Sequence, residues 1–246
     1  MSERDQRSRE IAAEIEAALD SFILYLDDDL LCVNKPSGIP MTPSWGYDVS
    51  LTEVLRSATD NSNLSPAHLL DRETSGAVVF GLTKRGLARM AYQFRQRMIE
   101  KNYLALVGGR WAKVAGVVAP MIKGQIDKEE GKISATGFSP IAQYLDEREN
   151  AFTLLSVRLL TGRTHQIRAH LSHLRLPIVA DWQYGSPFTH SRFLLHCYRL
   201  SFHPPASEEK ITVTAPVAND FCTYTDGLLV DHEYDPEALH SLVYCS

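Results

Sequence analysis

Apolar and polar positions alternate along the chain with two different periods, and segments of each kind are mixed irregularly. Residues 7–20, "RSREIAAEIEAALD", space Ile11, Ile15 and Leu19 by four in a helix-forming background, which predicts a short amphipathic leader helix docked on the body. "FILYLDDDLLCVNKPSG" reads as two apolar strands separated by an aspartate turn, a hairpin ended by Lys35, Pro36, Ser37 and Gly38. A Pro-rich loop and a short helix near residues 51–57 come next. "AVVFGLTK" has the β-branched content of a buried strand. "KRGLARMAYQFRQRMIE" then puts Leu87, Met90, Ala91, Phe94 and Met98 on one helical face, with the arginines largely elsewhere.

Further along, "NYLALVGG" and "AGVVAP" predict strands, and the polar stretch from Lys123 to Gly137 predicts a loop or exposed hairpin. "AFTLLSVRLLTG" is a strand ended by Gly162. In "RTHQIRAHLSHL", Thr164 is the expected N-cap of a helix carrying Ile167, Leu171 and Leu174. "FLLHCYRLSF" and "ITVTAP" return to strands, and a weak helix starts near Val217. Hairpins without regular strand–helix alternation predict an α+β fold with a mostly antiparallel sheet, not a doubly wound one. The expected organisation is a leader over 1–20, one body over 21–230, and an acidic, solvated tail over 231–246.

With 246 residues, 44% of them hydrophobic, the chain can bury a sizeable core, and a soluble globular protein is expected. No apolar run approaches the roughly 20 residues that span a bilayer, and the charged N-terminus is followed by no hydrophobic region, so no signal peptide and a cytoplasmic location are expected. Cys32, Cys197, Cys222 and Cys245 form no CxxC pair and read as ordinary reduced thiols.

The net charge of −5 conceals an uneven distribution. Residues 1–30 carry nine acids against three arginines, and residues 219–246 carry six acids and no Lys or Arg, so the middle of the chain holds +7. Within it, Lys84, Arg85, Arg89, Arg95, Arg97, Lys101 and Arg110 face only Glu100, and residues 151–180 contain four arginines and no acid. Two such segments could line a polyanion site, although exposed helical Lys and Arg are common without one.

"HLLDRETSG" sets Asp71 between two leucines and a Thr-Ser-Gly turn at the entrance to the buried strand. A carboxylate there needs a cation or hydrogen bonds; it could be a turn cap bonded to Thr74 and Ser75 or a reactive group. Glu73, two residues on, permits a paired-carboxylate glycosidase reading, which a single DxE hardly supports. His170 and His173 stand one helical turn apart and could share a metal, but His165 lies about 140° away by helical period, a poor three-histidine site. Arg163 and Arg168, permanently charged and able to make bidentate contacts, are better candidates, and either could partner Asp71. Tyr103, on a strand directly after the basic helix, is core by the ordinary reading, or a ring on which an unstacked base could rest.

In this order, "HLLDRETSG", "KNYLALVGG" and "LLTGRTHQIRAHL…LPIVADWQYG" resemble the RluA-type RNA pseudouridine synthases, with "LLCVNKPSGIPMTPS" and "RFLLHCYRLSFHP" extending the likeness over roughly residues 22–216. The resemblance implies the pseudouridine synthase fold, a mixed, largely antiparallel sheet with flanking helices and a central cleft. It also implies isomerisation of uridine to pseudouridine in structured ribosomal or transfer RNA, without cofactor or metal. It assigns Asp71 as nucleophile, Tyr103 as the residue stacking on the flipped base and assisting proton transfer, and Arg168 as the partner of the aspartate. Leu195 would pack near the base, while Arg72, Arg163, His165 and Gln166 would shape the cleft or touch RNA.

Two departures stand out. Leu69 occupies a position where the family usually has arginine, and it could wedge into a base stack but cannot hydrogen-bond. Several relatives carry an S4-type RNA-binding domain, and the short acidic leader cannot replace one, so recognition is expected to rest on the catalytic domain or a partner. Nothing in the sequence demands a dimer, and a monomer is expected. The alternatives are a noncatalytic RNA-binding or RNA-folding protein on the same scaffold and, more distantly, a metal-dependent hydrolase built on the histidines.

Overall fold

A computed structural model describes residues 3–111, 134–235 and 237–239. In chain order its elements are α1 (Glu3–Ala17), α2 (Leu19–Phe22), β1 (Ile23–Leu26), β2 (Leu30–Lys35), α3 (Leu51–Ala58), β3 (Ser65–Pro66), β4 (Ser75–Gly81) and α4 (Lys84–Arg95). They continue with β5 (Glu100–Gly108), β6 (Thr136–Leu145), β7 (Ala151–Leu159), α5 (Gln166–His173), β8 (Leu195–Phe202), β9 (Ile211–Thr214), α6 (Asn219–Asp226) and β10 (Leu229–Glu233). This is an α+β chain, as expected. It divides into two compact units, Met1–Glu100 with Cys197–Ala215, and Lys101–His196 with Pro216–Ser246.

In the first unit, the aspartate turn forms because Asp27 Oδ1 accepts the N–H groups of Asp29 at 2.8 Å and Leu30 at 2.7 Å, satisfying the reversing backbone. The chain folds back as β1 antiparallel to β2, and β2 pairs with β4 from Leu30↔Gly81 to Lys35↔Gly76. Every residue of β4 is buried, which explains its continuous apolar composition. The leader helix docks as predicted but begins at Glu3 and breaks at Ala18. Ile11 and Ile15 are buried, α1 packs on α3, and the Ser8 hydroxyl donates to the Gly38 carbonyl at 2.9 Å.

The buried face of α4 differs from the predicted stripe. Gly86, Met90 and Gln93 are buried, whereas Ala91 and Met98 are exposed. Two close contacts rotate the helix. A Cβ at Gly86 would lie 2.2 Å from the Asp29 carbonyl oxygen, so this face presses backbone against backbone. Gln93 donates to the His203 carbonyl at 2.7 Å and accepts from the His203 N–H at 2.9 Å, which pairs its amide fully inside the unit. The helix ends at Arg95, and Arg97 takes a left-handed conformation (φ 57°), so Met98 is not on it. Arg85, at the other end, pairs with buried Asp29, whose carboxyl is held below its usual range by the Arg85 guanidinium and then by the Thr83 hydroxyl.

In the second unit, β5, β7, β6 and β10 form an antiparallel run in that order, with Tyr103 opposite Val157 and Phe138 opposite Val157 on the other side. Leu104 to Val107, Leu154, Leu155 and Phe138 supply the core. The strand β6 extends beyond the predicted loop, whose residues 123–133, like the "AGVVAP" strand, lie outside the described residues. A register shift between Pro140 and Ala142 disturbs its alternation and hides it from pattern reading.

The segment expected as a solvated tail over 231–246 begins within β10. Its residues Leu229 to Glu233 pair with Leu145 to Ala142 of β6, and Asp231 accepts from Arg110 and from Gln143, each at 2.7 Å. All five side chains are exposed, so main-chain bonds and not an apolar stripe hold the strand. Cys32 is a free thiol in the core, and burial, with Cys197 nearby, pushes it far up, as an inert core cysteine requires.

Candidate active site

The first unit presents Asp71 on a tight turn, in which the Thr74 N–H donates to the Asp71 carbonyl at 3.0 Å. The turn is held from below by Lys35. This lysine, completely buried at the end of β2, donates to the carbonyls of Pro36 at 2.9 Å, Arg72 at 2.8 Å and Thr74 at 2.9 Å. A buried ammonium is costly to leave unsatisfied, and three carbonyl dipoles supply the acceptors it needs. The loop after β2 joins in: the Gly38 N–H donates to the Arg72 carbonyl at 2.9 Å, and the Ser37 hydroxyl donates to Glu73 at 3.2 Å. Arg72 pairs with Glu73, donates to the Gly38 carbonyl at 3.3 Å and lies over the Tyr47 ring at 5.2 Å. Gly76 (φ 107°) closes the motif where a Cβ would sit 2.2 Å from the Cys197 carbonyl oxygen, so no larger residue fits. Asp71 is half-buried and Leu69 beside it is 63% exposed. His68 accepts from the Val79 N–H at 3.2 Å and packs on Phe94.

The second unit assembles Arg163, His165, Gln166 and Arg168 at the start of α5. Thr164 does not cap the helix. His165 occupies that position in a left-handed conformation (φ 53°), without a side-chain cap bond. The loop is instead clasped by Gln166, whose Oε1 accepts from the Thr161 hydroxyl at 2.7 Å and the Arg163 N–H at 3.1 Å, while its Nε2 donates to the Ala135 carbonyl at 3.0 Å and Thr136 at 2.8 Å. Arg168, buried, donates through Nε and Nη2 to the two oxygens of Asp181 at 2.7 and 2.9 Å, and through Nη2 to Gln183 at 3.0 Å. Its guanidinium stacks over Tyr184 at 4.8 Å and Phe193 at 4.3 Å. His165 Nδ1 lies 3.1 Å from the Tyr184 hydroxyl. Tyr103 and Leu195 are buried in the same unit, on β5 and at the start of β8.

A sequence profile described as RNA pseudouridylate synthase matches residues 29–173, which include Lys35, Asp71, Tyr103 and Arg168. The chain belongs to the RNA pseudouridylate synthase family. It is 34% identical over 219 residues to a ribosomal large subunit pseudouridine synthase C of Haemophilus ducreyi, covering 82% of this chain and 67% of the relative. It is also 34% identical to the protein of that name from Vibrio cholerae, covering 82% and 67%. The chain thus spans about two thirds of the length of these relatives. Among solved structures, Human RNA Pseudouridylate Synthase Domain Containing 4 shares the fold, with a TM-score of 0.73 at 22% identity over 90% of this chain and 98% of that one. Human RNA Pseudouridylate Synthase Domain Containing 1 matches with a TM-score of 0.69 at 23% identity, over 91% and 94%.

For a pseudouridylate synthase, the sequence-predicted residues fall into two groups. Leu69, Asp71 and Arg72 share the locked turn of the first unit, and Tyr103, Arg163, His165, Gln166, Arg168 and Leu195 belong to the second. Gln166 is 2% exposed with its amide bonded inside the unit, which fits the first of its two expected roles, shaping the α5 loop. Glu73, bound to Arg72 and Ser37, braces the turn instead of forming a glycosidase pair. His170 is fully buried with Nδ1 2.9 Å from the Thr136 hydroxyl while His173 is exposed, and no cluster of metal-binding side chains occurs among the described residues. Of the seven cations between residues 84 and 110, Arg85, Arg89 and Arg110 face carboxylates of Asp29, Glu208 and Asp231. Sequence reasoning missed Lys35 and Asp181. The available signal for Lys35 was its place in the strand, continuing the Leu31 and Val33 side of an otherwise apolar run.

Proposed function

We propose that this RNA pseudouridylate synthase converts a specific uridine of large-subunit ribosomal RNA to pseudouridine, with Asp71 as the nucleophile. The observation that carries the reading is the Asp71 turn, immobilised by Lys35 and Gly76 within the segment that matches the family. The name shared by the relatives supports the RNA class. In the reaction, the Asp71 carboxylate attacks the ribose anomeric carbon and the bond to uracil N1 breaks. The freed base rotates, its C5 bonds to the same carbon as the carboxylate leaves, the C5 proton is lost and N1 gains one. Nothing is added or removed overall, so the chemistry needs a held base and excluded water.

The family resemblance assigns Tyr103 the face of the flipped base and help with the proton at C5, Arg168 the role of a fixed positive charge, and Leu195 an apolar wall. A uridine must leave its stack to be reached, which suits an aromatic platform. The protein is expected to act as a cytoplasmic monomer without a metal.

The test is chemical mapping of pseudouridine in deproteinised total RNA treated with the purified chain or with Asp71→Asn. New pseudouridine in large-subunit RNA with the wild type and none with Asp71→Asn is expected. Full activity of the variant would remove the nucleophile assignment, and modification confined to transfer RNA would remove the substrate class.

A further inference from the structure

Trp182 is 77% exposed, and no hydrogen bond or ring contact engages its indole among the described residues. Large aromatic surface left in water is unusual, and a surface side chain of this kind is informative when its backbone is rigid. The turn that carries it is rigid. Asp181 before it is buried and grips Arg168; Gln183 after it accepts from the same guanidinium at 3.0 Å. The Tyr184 N–H donates to the Asp181 carbonyl at 3.0 Å, the Gly185 N–H to the Trp182 carbonyl at 3.2 Å, and Ser172 of α5 donates to the Tyr184 carbonyl at 2.8 Å. Trp45, at 99% exposure, stands in a loop of the first unit that is closed by a bridge between Ser44 and Tyr47.

We propose that Trp182 is a preorganised stacking platform for an unpaired RNA base, presented next to the Arg168 cluster; this rests on the reading that the chain acts on RNA. Charge favours a polyanion such as nucleic acid over a basic or neutral protein surface. The turn follows residues 151–180, which hold four arginines and no acid, and its one carboxylate, Asp181, is neutralised by Arg168. An indole takes any base through its π face, and the rigid turn lowers the ordering cost of binding. The residue therefore supplies affinity for bases flanking the target and is separate from the chemistry at the ribose.

Two fluorescently labelled probes test this with the full chain: a mixed-sequence single-stranded RNA of about 12 nucleotides, and an abasic strand of the same length with the same number of phosphates. Trp182→Ala is expected to weaken binding of the base-bearing strand on the order of tenfold and leave the abasic strand unaffected, with Trp182→Phe retaining most of the affinity. Unchanged binding of the base-bearing strand by Trp182→Ala, or equal weakening for both strands, would overturn the proposal. Pseudouridine formation by the wild type is read in parallel. Its absence would overturn the enzymatic reading and leave the stacking result to stand by itself.

Discussion

Around Asp71 a buried ammonium, Lys35, bonds main-chain carbonyls, whereas around Arg168 a buried carboxylate, Asp181, grips the side chain itself. The first arrangement immobilises the backbone under a residue, which suits a group that must bond to substrate and release it. The second neutralises and orients a side chain through two parallel N–H···O bonds and two stacked rings, which suits a charge that stays in place while others react. One unit thus fixes a position and the other fixes a charge.

Substitutions can break each half of this contrast separately. Asp71→Asn, nearly isosteric, is expected to abolish product and leave thermal unfolding close to wild type, because the turn is held through its carbonyls. A large loss of melting temperature in that variant would show that the carboxylate is structural. Asp181→Asn strands a buried guanidinium and is expected to cost about 3–5 kcal/mol in denaturant unfolding, with activity lost in step with stability. An unfolding midpoint equal to wild type would mean that Gln183 and the two rings suffice to hold Arg168.

Lys35→Met keeps the length of the stem and leaves three carbonyls without their donor. It should destabilise by about 1–3 kcal/mol and lower kcat more than it raises KM, since the Asp71 turn loosens while surfaces that bind RNA remain. A fall in stability with unchanged kcat would reduce Lys35 to a packing residue. The smallest effect is expected from Leu69→Arg. At 63% exposure the change should alter stability by no more than about 0.5 kcal/mol, while rate or site choice shifts towards those of relatives with arginine. Identical kinetics on the same RNA would make the position irrelevant to recognition.

Much of the fold was legible from one strand or helix at a time. The hairpin β1–β2, the buried strand β4 and the strands β7 to β9 announce themselves because apolar and β-branched residues fill them and the turns between them use Asp, Gly and Pro. The α4 face was misjudged because Gly86 and Gln93, a residue without a side chain and a polar one, occupy the buried side. The strand β10 escaped because backbone bonds to β6 hold it while every side chain faces water. In the site, the family signature marked Asp71, Tyr103 and Arg168, and it left Gln166 either to shape the cleft or to touch RNA; only the tertiary structure shows its amide bonded to Thr161, Thr136 and Ala135.

By itself the sequence determined the secondary-structure periods, the α+β class, the uneven charge and the residue types assigned to the reaction, since these depend on local pattern and side-chain chemistry. Tertiary structure alone decided which ionised groups are consumed internally. Lysine is ordinarily an exposed residue, and no local pattern reveals that three carbonyls, two of them from a turn more than thirty residues away, converge on Lys35. Nor does spacing show that Asp181, thirteen residues beyond Arg168, returns to hold it. Both facts depend on long-range convergence of polar groups in a water-poor interior, where pairing is compulsory and the partner is whichever group the fold brings within reach.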